Sequence, residues 1–161
     1  MYRFVLAATL PLILMSNSAF GVERTKVEIQ AVHSEKCLDV FEASTDPATD
    51  IIQFPCHGGG NQRWTIRDRG NGLHEITVAH SGMCMDVSGA ELGNGVHIIQ
   101  FPCHGGTNQR FLIDELPDQR LQIRSVSSSK CLDIEGGTIL DLARLIQFDC
   151  HGGTNQRFRF K

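Results

Sequence analysis

This 161-residue sequence predicts an all-β protein built by threefold repetition, and three observations carry that prediction. One unit recurs at a constant step of 47 residues. Each unit divides into four short apolar segments bounded by turn residues. Helix signals are almost absent, and the best stretch, 138–145, has no clean apolar stripe.

The step is read directly from matching residues. It carries Cys37 to Cys84 and Cys131, and Cys56 to Cys103 and Cys150. Asp39, Asp86 and Asp133 obey it, as do Gln53, Gln100 and Gln147, and His57, His104 and His151. Trp64 maps onto Phe111 and Phe158. The repeats run over about 22–68, 69–115 and 116–161, with no insertion and no room for a linker or second domain. In the first repeat the expected strands are 27–32, 36–40, 50–54 and 63–66. Twelve such strands with Gly-rich connections describe a closed β architecture, and threefold repetition selects a β-trefoil over a propeller, which wants four or more blades.

Ahead of the repeats, Arg3 and the apolar run over 4–15 read as a signal peptide, too short to span a bilayer. The small residues Ala19 and Gly21 place cleavage before Val22, with cleavage after Ala19 as the alternative. The expected mature chain, 22–161, is secreted or extracellular, or periplasmic in a Gram-negative source. Removing residues 1–21 takes away one basic and no acidic residue, so a formal charge of −3 becomes slightly more negative. No basic field exists to hold nucleic acid, and no membrane insertion is expected.

Six cysteines fit an oxidising compartment. Pairings that respect the repeat join Cys37 to Cys56, Cys84 to Cys103 and Cys131 to Cys150. The C-H-G-G runs lack zinc-ligand spacing, although three histidines meeting on a threefold axis remain the competing arrangement. No metal or other cofactor is expected.

Strand alternation sets Leu38 and Val40 on one face and Asp39 on the other, an exposed place repeated at Asp86 and Asp133. Each carboxylate is either an acceptor for ligand hydroxyls or a local brace for turn N–H groups. Trp64, Phe111 and Phe158 are expected in the core, which leaves Phe54, Phe101 and Phe148 as stacking platforms. Of the amide pairs Asn61-Gln62, Asn108-Gln109 and Asn155-Gln156, the Asn is expected to face a ligand and the Gln to brace its loop.

Three stretches carry a resemblance: K-C-L-D-V with I-I-Q-F-P-C-H-G-G-G-N-Q-R-W, M-C-M-D-V with I-I-Q-F-P-C-H-G-G-T-N-Q-R-F, and K-C-L-D-I with L-I-Q-F-D-C-H-G-G-T-N-Q-R-F. Together they resemble the ricin B-type lectins, also called carbohydrate-binding module family 13. The closing element is similar to that family's Q-x-W signature, kept as Gln62-Arg63-Trp64 and altered to Gln-Arg-Phe in the other repeats. The resemblance implies up to three shallow sugar sites, one per repeat. Asp39, Asp86 and Asp133 would bind sugar, Phe54, Phe101 and Phe148 would stack, and Asn61, Asn108 and Asn155 would hydrogen-bond, each supported by Gln62, Gln109 or Gln156. Galactose-, xylose- or arabinose-type glycans are the implied partners.

The sequence departs from the family in three ways. Its stacking residue is Phe throughout; Ile52, Ile99 and Ile146 replace a family Gln; and the loops after the aspartates differ. Ile139 and Leu140 stand where the third repeat would need a polar rim, so the first two sites are the expected live ones.

No catalytic residues are expected: there is no nucleophile elbow, phosphate loop or HExxH, and the threefold carboxylates are too dispersed to flank one glycosidic bond. The leading expectation is a non-catalytic lectin acting by avidity. The alternative is a delivery or interaction subunit with a protein partner, similar to the trefoil subunits of bacterial toxins.

Overall fold

A computed structural model describes residues 23–161, and the expected signal peptide lies outside the described residues. Thirteen strands form one continuous sheet system. The first repeat contributes β1 (Arg24–Val27), β2 (Ile29–Ala31), β3 (Cys37–Val40), β4 (Thr49–Phe54) and β5 (Trp64–Asp68). The second contributes β6 (Leu73–Val78), β7 (Cys84–Val87), β8 (Val96–Phe101) and β9 (Phe111–Leu116). The third contributes β10 (Arg120–Ser125), β11 (Cys131–Ile134), β12 (Leu145–Phe148) and β13 (Phe158–Phe160). The extra strand arises because the expected 27–32 segment begins earlier and breaks at Glu28. Lys26 adopts φ 55°, and the β1–β5 register shifts between Arg24 and Val27, as a bulge requires.

Six antiparallel pairings close a barrel: β1–β5, β5–β6, β6–β9, β9–β10, β10–β13 and β13–β2. The ring closes because β1 and β2 are successive parts of one segment. Three hairpins, β3–β4, β7–β8 and β11–β12, cap it. They meet through β4–β8, β8–β12 and an isolated Ile52–Arg144 bridge. This is a β-trefoil.

Its core is built from the residues that alternation assigns inward. Leu38, Met85 and Leu132 are fully buried, as are Ile51, Ile98 and Leu145 from the facing strands. Trp64, Phe111 and Phe158 are the three largest fully buried side chains, as the sequence predicts. The indole N–H of Trp64 donates to the Leu38 carbonyl at 3.2 Å, which meets the polar demand that Phe at the equivalent positions does not have.

Disulfides join Cys37–Cys56, Cys84–Cys103 and Cys131–Cys150, with Cα separations of 5.0, 5.1 and 5.1 Å. Each closes a loop within its own repeat and is worth about 3 kcal/mol in the chain-entropy account.

A second set of contacts ties the repeats to one another. Gln53, Gln100 and Gln147 lie on the opposite strand face from Ile52, Ile99 and Ile146 and are fully buried. The amide of Gln53 donates to the Thr138 and Leu140 carbonyls at 2.9 and 2.7 Å. Gln100 reaches Ser44 and Asp46, and Gln147 reaches Glu91 and Gly93. Each loop that follows an Asp-bearing strand is therefore pinned by a different repeat.

Candidate functional site

The hairpin register places Asp39 opposite Ile52 and Cys37 opposite Phe54 on one face. Beyond Phe54, the Cys37–Cys56 bridge draws the chain back over this face and brings His57 to the carboxylate. A short 3₁₀ turn, Gly60–Gln62, then supplies the two amides.

The result is a carboxylate held by three donors. Asn61 Nδ2 donates to Asp39 Oδ1 at 2.9 Å, Gln62 Nε2 to Oδ2 at 2.7 Å, and His57 Nε2 to Oδ2 at 3.2 Å. The second repeat gives amide bonds of 3.1 and 2.7 Å to Asp86, with His104 Nε2 at ion-pair distance, 3.3 Å from Oδ2, and the third gives bonds of 2.9, 2.8 and 3.1 Å to Asp133. The histidine tautomer follows from its other nitrogen. Nδ1 of His57 accepts the Gly59 backbone N–H at 3.1 Å, so the ring proton sits on Nε2 and points at Asp39. His104 and His151 repeat this through Gly106 and Gly153.

Asp39, Asp86 and Asp133 are 3% exposed, whereas their alternation in the sequence places them at an exposed position. The reason is the returning turn, whose amides and imidazole close over the carboxylate. Burial pushes the Asp39 carboxyl above its ordinary range, against the bonds from Gln62, His57 and Asn61.

The amides divide their work. Gln62, Gln109 and Gln156 are fully buried. Gln62 also donates to the Pro55 carbonyl at 3.0 Å and accepts the His57 backbone N–H at 2.8 Å, so it braces the turn from beneath. Asn61 holds the carboxylate and the Val40 carbonyl while lining the cleft.

Each repeat thus presents an open cleft of about 400–460 Å³. The shared lining is Asp39, Ile52, Phe54, His57 and Asn61 and their counterparts. Phe54 meets His57 edge to face at 6.3 Å between ring centroids, with the planes at 71°. Phe101–His104 and Phe148–His151 match it within 0.1 Å and 2°. The three histidines stand in three separate clefts, each on the aspartate of its own repeat. Among the described residues no cluster of three or more His, Cys, Asp or Glu could hold a metal ion.

The glycine before the turn is required by this closeness. A Cβ at Gly59 would come within 2.7 Å of the His57 ring and 2.8 Å of Asn61 Oδ1.

The outer wall crosses repeat boundaries. Leu142 of the third repeat lines the first cleft, Ala48 lines the second and Gly95 lines the third. The apolar loop that the sequence assigns to the third site therefore borders the first instead, because Gln53 pins it there. The third cleft is walled by Glu135, Gly136, Gly137 and Gly95.

Comparison with known proteins bears on the family and the fold. A family model described as ricin-type beta-trefoil lectin domain-like matches residues 16–101, 69–148 and 107–161. The chain belongs to this family. ThreeFoil, a designed threefold-symmetric protein, is 36% identical over 83% of this chain and 96% of its own, with a TM-score of 0.82. An exo-β-1,3-galactanase from Clostridium thermocellum is 30% identical at a TM-score of 0.82, over 84% of this chain but only 30% of the enzyme. The ricin B-like lectin of Macrolepiota procera, solved with lactose, shares the fold at a TM-score of 0.74 and 19% identity, over 86% of this chain and 94% of that one.

Proposed function

We propose that this trefoil is a secreted, non-catalytic lectin whose three clefts each bind one sugar residue. The observation that carries the reading is the state of the carboxylate. A carboxylate offers about four acceptor positions. Around Asp39, Oδ2 takes two internal donors and Oδ1 takes one, so Oδ1 retains a lone pair for a ligand hydroxyl. The internal bonds fix that oxygen before ligand arrives, which lowers the ordering cost of binding. Phe54 supplies a flat apolar face for the C–H side of a pyranose, and His57 forms the perpendicular wall.

One open cleft with so few polar contacts gives a dissociation constant on the order of millimolar. Three clefts on one rigid body raise the apparent affinity for a surface with repeated glycans. Galactose-type sugars are the first ligands to try, since a lactose complex and a galactanase occur among the similar proteins, followed by the xylose- and arabinose-type sugars that the family resemblance implies.

The test is a glycan array with the oxidised protein covering residues 22–161. Saturable binding to one sugar class is the expected result. Loss of that binding when Phe54, Phe101 and Phe148 are all changed to Ala assigns it to the clefts. These aromatics lie outside the hydrophobic core, and circular dichroism checks that the substituted protein is folded. No binding to any glycan overturns the reading.

The alternative, an interaction subunit for a protein partner, draws on Ile139 and Leu140, which are 62% and 69% exposed. It predicts that Ile139→Ser with Leu140→Ser abolishes partner capture while glycan binding is unaffected.

A further inference from the structure

The three clefts share their inner residues and diverge at two outer positions. The turn that follows the aspartate strand opens with Phe41, Ser88 or Glu135. The residue donated by another repeat is Leu142, Ala48 or Gly95 respectively. Only the first cleft has two large apolar side chains there, added to Ile52 and Phe54.

Neither side chain is explained by the packing of the protein itself. Phe41 is 38% exposed and Leu142 52%, and neither belongs to the hydrophobic core. Leu142 also sits at φ 68° in the left-handed turn that all three repeats share, where the equivalent residues are Ala48 at φ 62° and Gly95 at φ 79°, so a large side chain stands where the other repeats carry a small one. It is held there by its own N–H, which donates to the Gln53 carbonyl at 3.0 Å. A half-exposed leucine fixed at the rim of a cleft, where the other repeats carry Ala or Gly, marks a surface whose burial comes from a ligand. The apolar floor also continues outward. Phe41, Ile52 and Leu142 border a second depression of about 350 Å³ that ends in Asp50, Glu135 and Arg144.

We propose that Phe41 and Leu142 form an apolar subsite of the first cleft, which takes a flat apolar group linked to the bound sugar, such as an aryl aglycone or an aromatic acyl ester. The inference rests on the sugar-binding reading above and goes further: the first cleft selects substituted glycosides, and the other two accept unsubstituted ones equally well.

The experiment compares single-cleft proteins. Phe101→Ala with Phe148→Ala leaves only the first cleft, and Phe54→Ala with Phe148→Ala leaves only the second. Dissociation constants are measured by NMR titration for methyl and 4-nitrophenyl glycosides of galactose, xylose and arabinose. The first-cleft protein is expected to prefer the 4-nitrophenyl glycoside of its sugar by about tenfold, for one ring face buried against two side chains. The second-cleft protein is expected to discriminate by less than about twofold. Adding Phe41→Ser and Leu142→Gly, the residues other repeats already carry, should reduce the first cleft's ratio to that of the second. Methyl-glycoside binding without an aryl preference overturns the subsite and leaves the lectin reading intact. A preference that survives Phe41→Ser with Leu142→Gly also overturns it. Failure of both proteins to bind any glycoside overturns the subsite and the lectin reading together.

Discussion

Gln62 has no exposed surface, yet the geometry makes it the brace on which the first cleft depends. Changing it to Ala removes a 2.7 Å bond to the buried Asp39 carboxylate, a 3.0 Å bond to the Pro55 carbonyl and a 2.8 Å bond from the His57 backbone N–H. A bond to a charged buried acceptor is worth about 1.5–3 kcal/mol, and the two backbone groups, which water partly reaches, about 0.5–1 kcal/mol each. The expected loss is about 2.5–5 kcal/mol, a large part of the roughly 5–15 kcal/mol that holds an ordinary domain together. Urea unfolding of the oxidised protein reads this as a lower midpoint at unchanged m-value. Gln109→Ala and Gln156→Ala should each match it within about 1 kcal/mol, because the same three bonds recur at 2.7–3.0 Å. A loss below about 1 kcal/mol in all three would refute the claim that these amides hold the clefts from beneath.

Other perturbations follow from the same structure. Gly59→Ala forces a methyl group into His57 and Asn61, so an otherwise folded protein should lose binding at the first cleft alone, seen as the disappearance of one of three sets of NMR titration shifts. Replacing Cys37 and Cys56 together by Ser should lower stability by about 2–4 kcal/mol in urea unfolding, with the other two bridges intact by mass spectrometry. Burial would raise the Glu75 carboxyl, but the bonds and charges of Arg69 and Arg110 outweigh it and hold it below its ordinary range. That contribution is complete above the unfolded-state pKa and lost as pH falls through the folded-state value, so Glu75→Gln should flatten the acid limb of a stability–pH curve. Asp39 acts in the opposite sense. Its raised carboxyl stabilises the fold below the unfolded-state pKa, and this is lost as pH rises through the folded value. Ligand binding at the first cleft should weaken on acidification through that same raised value, as titration calorimetry across a pH series would show.

The fold was legible in the sequence because its signals are periodic and local. A constant 47-residue step fixes the number of units, the symmetric cysteines fix their own pairing, and one closing aromatic per unit fills the core. That Ile52 and Phe54 share the face of Asp39, with Gln53 on the other, needed the cross-strand register of the hairpin, which alternation within one strand does not supply. What escaped depends on contacts between distant parts of the chain. The role of His57 follows from a disulfide and a Gly-rich return that aim its ring at Asp39; its exact recurrence at His104 and His151 was the available signal. The burial of the aspartates required that turn to fold over them. Leu142 gave no local sign that it serves the first cleft, because the link runs through Gln53, 89 positions earlier in the chain. The break at Glu28 reflects a bulge at Lys26 that no turn residue announces.

The central claim is that three equivalent carboxylate–histidine–amide clefts bind sugar. Chemical-shift mapping on the oxidised wild-type protein, titrated with the sugar class that the array identifies, tests it most directly. The account predicts saturable shifts confined to the Asn61, Asn108 and Asn155 side-chain amides and the His57, His104 and His151 rings, with the separate depression lined by Arg24, Glu115, Arg120 and Phe160 silent. Saturable shifts at Arg24 and Arg120, with the six cleft side chains unmoved, would contradict it.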